Sequence, residues 1–153
     1  HQRGDDGNHD GIDIAIIVID SEKMKLHYAG AFRPMVCVSD GTLKKYNADR
    51  MPIGIHHMAA DHFTNNEIDI KNGDVFYLFS DGMTDQFGFD SANRIHKFTA
   101  KRLRELLADV HKLPFSTQKL KIEMAIDNWR TDGTAGDGIY EQTDDAILVG
   151  IRL

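Results

Sequence analysis

From residue 11 to residue 80 the sequence runs in short stretches of period two, and that pattern commits this part of the chain to β-sheet before anything else is considered. Residues 11–20 (GIDIAIIVID) place Ile12, Ile14, Ile16 and Val18 on one face and Asp13, Ala15, Ile17 and Ile19 on the other, which reads as a central strand. Met24, Leu26, Tyr28 and Gly30 then alternate against Lys23, Lys25, His27 and Ala29. This second stretch has one wet face, and Asp20-Ser21-Glu22 suits a tight connection between the two. Residues 35–38 and 42–46 flank Ser39-Asp40-Gly41, and residues 67–70 and 75–80 flank Asn72-Gly73, whose tolerance of positive φ is a hairpin signal. The expectation is a set of antiparallel hairpins.

The period changes in the second half. Leu103, Leu106, Leu107 and Val110 recur at helical spacing, as do Ile122, Ala125, Ile126 and Trp129 after Pro114 and the candidate cap Ser116. These predict two amphipathic helices, each with one face on a sheet, and the charged run 97–104 reads as a wet helix face. A glycine-rich loop (TDGTAGDGIYEQ, 131–142) leads to residues 146–153 (AILVGIRL), short and apolar enough for a buried strand. Hairpins in one stretch and helices in another predict an α+β fold, an antiparallel β-sandwich with helices packed on the sheet faces. Residues 1–10 (HQRGDDGNHD) hold no large apolar side chain and read as a loose lead-in, leaving 11–153 as the domain.

Composition narrows the function classes. At 153 residues and 41% hydrophobic content there is material for one domain with a real core. A formal net charge of -6 argues against a sequence-independent nucleic-acid binder, which needs a basic face against phosphates. No apolar run approaches the roughly 20 residues of a membrane span, so direct membrane contact is not expected. The lone Cys37 forms no internal disulfide, fits a reducing compartment and reads as a small core residue. The chain is expected to be cytoplasmic, or the cytoplasmic end of a larger, membrane-tethered protein.

Acidic residues fall where the strands end. The apolar stretch 76–80 runs into Asp81-Gly82-Met83-Thr84-Asp85, and Asp144-Asp145 stands just before the last strand. A carboxylate at a strand end is rigidly aimed and partly desolvated, and Gly82 lets the backbone turn sharply beside it. If the two strands are neighbours, Asp81 and Asp144 converge, and converging carboxylates call for a divalent cation such as Mg²⁺ or Mn²⁺. An Asp-Gly pair is equally a plain turn signal, so spacing alone leaves both readings open. Asp145, as the next residue along a strand, points to the opposite face.

The segments DGIDIAIIVID, LHYAGAFRPM, RMPIGI, NGDVFYLFSDGMTDQFG and QTDDAILVGIRL span nearly the whole chain. In order and spacing they resemble the C-terminal part of SpoIIE-like phosphatase domains, within the wider metal-dependent (PPM) Ser/Thr phosphatases. The resemblance implies that Asp81 and Asp144 are metal ligands for Mn²⁺ or Mg²⁺. It further implies that Asp85 is a ligand of an additional, weaker metal and that Asp10 lies near the same place. The family's first metal motif, an Asp followed closely by Gly-His-Gly, does not occur in these residues. The resemblance therefore implies that the N-terminal part of the domain is missing, with the junction in residues 1–10.

Other candidates have plainer alternatives. His56, His57, Asp61 and His62 lie in a stretch that reads as a loop, either a transition-metal site or solvated histidines. Arg33, before Pro34, is either a contact for a substrate phosphate or an exposed arginine at a hairpin end. Trp129 reads as helix-to-sheet core. Two functions stay open: an enzyme, and a non-catalytic phosphatase-like module that binds proteins. The enzyme would remove phosphate from phosphoserine or phosphothreonine of a protein substrate by a metal-activated water, with upstream sensory or regulatory domains in the same protein. These residues alone are expected to be inactive.

Overall fold

Asp13 breaks the first expected strand in two. The computed structural model describes residues 11–54, 62–90, 92, 94–131 and 139–153. Its elements begin with β1 (Gly11–Ile12), β2 (Ile14–Asp20), β3 (Lys25–Ala31), β4 (Met35–Ser39), β5 (Thr42–Tyr46), β6 (Ile53–Gly54), β7 (Asn66–Asp69) and β8 (Val75–Phe79). There follow α1 (Gly82–Asp85), β9 (Phe87–Phe89), β10 (Ile95–Lys97), α2 (Ala100–Val110), α3 (Phe115–Arg130) and β11 (Leu148–Arg152). Two compact units result, one drawn from His1–Met35 and Tyr46–Ile70, the other from Val36–Lys45 and Lys71–Leu153.

In the first unit β1 pairs antiparallel with β6, and β2, β3 and β7 form a 3-stranded antiparallel sheet in that order. The expected β2–β3 hairpin forms, and the Asp20 carboxylate closes its turn by accepting from the Lys23 N–H at 3.0 Å. Leu26, Tyr28 and Gly30 are buried, as the alternation predicts. The reading of β2 as a central strand is corrected: among the described residues it is an edge strand. Ile12, Ile14, Ile16 and Val18 are all exposed, and the half-buried face carries Ala15 and Ile17. Arg33 is not an exposed hairpin-end residue either. Its guanidinium lies 3.0 Å from the Asp13 carboxylate, and both side chains are partly buried.

The hairpin expected around Asn72-Gly73 does not form. β7 pairs with β3, held by Lys25 between Glu67 at 2.9 Å and Asp69 at 2.7 Å, whereas β8 joins the second unit's sheet. The Asn72-Gly73 turn is real, with Gly73 at φ 93°. The Asp74 carboxylate closes it, accepting from the Lys71 N–H at 3.0 Å, and the Gly73 N–H donates to the Leu153 carbonyl at 2.8 Å. The turn thus leads the chain from one sheet into another and ties it to the chain end.

The second unit holds a 4-stranded sheet in the order β11-β8-β4-β5. The β4–β5 turn uses Asp40 at φ 48° and Gly41 at φ 74°, as the sequence signal requires. Val36 and Val38 of β4 and Val75, Tyr77 and Phe79 of β8 share one core cluster with Leu103, Leu107 and Val110 of α2 and Ile122 and Trp129 of α3. Each such apolar side chain contributes about 1.5–3 kcal/mol by leaving water. α2 starts at Thr99, whose hydroxyl accepts from the Arg102 N–H, and the Arg102 guanidinium lies 4.1 Å from the Trp129 ring centre. α3 starts one residue before the expected cap: Pro114 precedes its first turn and Ser116 lies inside it. The last strand is also corrected. β11 forms the sheet's edge and is at best half-buried, with Val149 exposed. Cys37 is buried on β4, and burial pushes its thiol up to about 11.

Candidate metal-binding turn

Two strand ends bring the acidic residues to one end of the second sheet. β8 and β11 pair antiparallel with Phe79 opposite Leu148, so the C-terminal end of β8 meets the N-terminal end of β11. Asp81 follows the first and Asp144-Asp145 precede the second. Beyond the ladder the Ser80 N–H donates to the Ile147 carbonyl at 3.0 Å, its hydroxyl donates to the Asp145 carbonyl at 2.8 Å, and the Ile147 N–H donates to that hydroxyl at 2.9 Å. A Cβ on Gly82 would stand 2.4 Å from the Asp145 carbonyl oxygen, so the residue that lets the chain turn also lets the two backbones touch.

Asp81 sits at the N-cap of α1, and its carbonyl accepts from the Thr84 N–H at 2.8 Å and the Asp85 N–H at 2.7 Å. Asp144 curls its carboxylate onto the Asp145 N–H at 2.7 Å, and the Gln142 amide donates to the Asp144 carbonyl at 2.8 Å. Asp81, Asp144 and Asp145 are all exposed, so the expected partial desolvation of these carboxylates is not found. Asp85 points its carboxylate at the Lys97 ammonium, 2.7 Å away. The structure therefore brings the Asp81 and Asp144 segments together and engages Asp85 with β10. Asp10, His56, His57 and Asp61 lie outside the described residues, and His62 is exposed.

Carboxylate oxygens near the surface are the donors a hard cation such as Mn²⁺ or Mg²⁺ takes, and such ions retain several waters alongside a few protein oxygens. Asp81 and Asp144 fit that chemistry. Among the described residues no group of three or more His, Cys, Asp or Glu could hold a metal ion, so these two would form part of a coordination shell. Sequence reasoning missed two polar residues that shape the turn. Ser80 is visible only as a hydroxyl closing an apolar strand. Gln86 gives no local signal, yet it is buried and its amide donates to the Phe87 carbonyl at 2.9 Å and the Glu141 carbonyl at 3.0 Å.

Antiparallel sheets with a helix pair on one of them place the fold among PP2C-like domains, as solved structures show. The SiaA-PP2C domain of Pseudomonas aeruginosa superposes with a TM-score of 0.73 at 24% identity, covering 92% of this chain and 51% of that one. The PP2C phosphatase domain of SpoIIE from Bacillus subtilis, solved with a fragment of its regulatory domain, gives 0.67 at 15% identity over 92% and 37%. A Mn-presoaked structure of that phosphatase domain gives 0.61 at 14% over 92% and 56%. The chain thus spans about half the length of these structures, or less. It belongs to the Stage II sporulation protein E (SpoIIE) family, whose model matches residues 3–153. No curated protein matches it in sequence. Among the described residues no helix is long and apolar enough to cross a membrane.

Proposed function

We propose that this chain carries part of the catalytic centre of a cytoplasmic, metal-dependent Ser/Thr phosphoprotein phosphatase, with Asp81 and Asp144 as ligands of a shared Mn²⁺ or Mg²⁺. The β8–β11 register carries this reading, because it delivers two hard donors from distant parts of the sequence to one end of adjacent strands. When bound, a divalent cation there supplies Lewis acidity that makes water nucleophilic at neutral pH and draws charge off the phosphoryl oxygens. Asp81 and Asp144 hold and orient the ion, and Gly82 keeps the approach narrow. Asp85 is proposed as ligand of a further, weaker ion, which would have to displace Lys97. The substrate is a phosphoserine or phosphothreonine of a partner protein, and upstream sensory or regulatory domains belong to the same protein. The SpoIIE structure that includes a fragment of regulatory domain supports that last point. Among the described residues Asp81 and Asp144 supply only part of a coordination shell, and the 153 residues by themselves are expected to be inactive.

The test compares Asp81→Asn, Asp144→Asn and Asp145→Asn in the full-length protein. Turnover of an aryl phosphate and of a phosphopeptide is followed in excess Mn²⁺, and thermal unfolding in chelator. Asp81→Asn and Asp144→Asn should lower turnover by orders of magnitude with unfolding unchanged, and Asp145→Asn should matter less. Near-normal turnover in the first two, or its loss only through unfolding, would make them turn residues.

A further inference from the structure

The paired strands β8 and β11 end at Phe79 and Leu148, and beyond them β8 leaves for α1. The Ser80 N–H still reaches the Ile147 carbonyl, but the Ser80 carbonyl, as the α1 turn begins, accepts from the Met83 N–H at 3.3 Å. The Ser80 hydroxyl replaces it, accepting from Ile147 N–H at 2.9 Å while donating its proton to the Asp145 carbonyl at 2.8 Å. A hydroxyl has one proton to give and lone pairs to accept with, so a single side chain satisfies main-chain groups on both sides of Ala146. Ser80 stands next to Asp81, and Asp145 next to Asp144. The clip is therefore one residue from each proposed ligand, and the Asp145 carbonyl it holds is the one seated over Gly82.

We propose that Ser80 is a positioning residue for metal binding: its hydroxyl sets the spacing between the Asp81 turn and the Asp144 segment, and so the affinity for the cation they share. The proposal rests on the reading of Asp81 and Asp144 as ligands. Groups that orient metal ligands without touching the metal typically change affinity by about 10- to 100-fold when removed. Ser80→Ala keeps both carboxylates and the Ser80–Ile147 main-chain bond but releases residues 144–146. Ser80→Thr keeps the hydroxyl.

The experiment titrates Mn²⁺ into metal-free full-length protein and reads free Mn²⁺ by electron paramagnetic resonance for the unmodified protein, Ser80→Ala, Ser80→Thr and Asp81→Asn. Thermal unfolding in chelator runs alongside. The proposal expects Ser80→Ala to weaken Mn²⁺ binding by about 10- to 100-fold with unfolding in chelator little changed. It expects Ser80→Thr to bind near normally, and turnover of Ser80→Ala to recover at saturating Mn²⁺. Ser80→Ala binding within about twofold of normal, while Asp81→Asn loses binding, overturns it and leaves the ligand reading standing. Unchanged binding in Asp81→Asn overturns the ligand reading and this proposal with it. Should Ser80→Ala fail to fold, Gly82→Ala displaces the same Asp145 carbonyl. It must weaken Mn²⁺ binding likewise, and normal binding there, or loss of fold in both variants, overturns the proposal.

Discussion

Replacing Gln118 with leucine tests whether the second unit is held as described, because this buried side chain ties α3 to the sheet and to the turn before it. Gln118 is 2% exposed; its amide oxygen accepts from the Tyr77 hydroxyl at 2.8 Å, and its nitrogen donates to the His111 and Leu113 carbonyls at 3.1 and 2.9 Å. The two carbonyls are insured, since the Arg152 guanidinium donates to both. The Tyr77 hydroxyl is not. At 1% exposure it would be left buried without its acceptor, which costs about 1–3 kcal/mol. Removing both partners removes the orphan, and a buried pair replaced by apolar groups of similar shape is nearly neutral. Urea unfolding should therefore show Gln118→Leu destabilised by about 1–3 kcal/mol and Tyr77→Phe/Gln118→Leu recovering most of that loss, a coupling within the range of about 0.5–3 kcal/mol for residues in one network. Strict additivity, or an unchanged midpoint in Gln118→Leu, would refute the reasoning.

Two further outcomes follow from single groups. The Asp90 carboxylate is held down to about 2, first by the Arg94 main-chain N–H and then by the Arg94 guanidinium and the Ala92 N–H. Its folded value lies below the unfolded one of about 3.9, so its contribution is complete above that pH and fades as pH falls toward 2. In acid titrations followed by amide exchange of the β9–β10 hairpin, Asp90→Asn should be the less protected protein at pH 6, with the gap closing toward pH 2. A gap independent of pH would count against the hydrogen-bond account. Cys37, buried and with its thiol raised to about 11 by burial, should resist an aromatic disulfide reagent at pH 8 until urea unfolds the chain. Rapid labelling of the native protein would show that the thiol is reachable.

The strand ends that carry the candidate site were legible from residue order. The Asp-Gly turn after an apolar strand and the Asp pair before another mark strand ends, and the motif set they belong to points to the family that the chain joins. What the residues could not announce is how the ends are clipped. The Ser80 hydroxyl bridges to Asp145 across a separation of 65 residues, and Gln86 reaches Glu141 across 55. No local pattern encodes either contact. The exposure of Asp81 and Asp144 was likewise out of reach, because solvent access depends on everything around a turn.

By itself the sequence determined periodicity, and with it the identity of the longer strands and helices. Leu26 and Tyr28 alternate into a core, Leu103, Leu107, Ile122 and Trp129 fall on helical faces, and Asp40-Gly41 and Asn72-Gly73 turn where positive φ is cheap. Such properties depend on neighbours within a few residues. Only the tertiary structure decided which strands pair. Asn72-Gly73 allows a turn but does not choose a partner, so β7 went to β3, where Lys25 meets Glu67 and Asp69, and β8 went to β11. The same choice left β2 and β11 at sheet edges although both are apolar enough to be interior. Strand pairing is a competition among distant segments for main-chain hydrogen bonds, and here its outcome is what carries Asp81 and Asp144 to one end of the sheet.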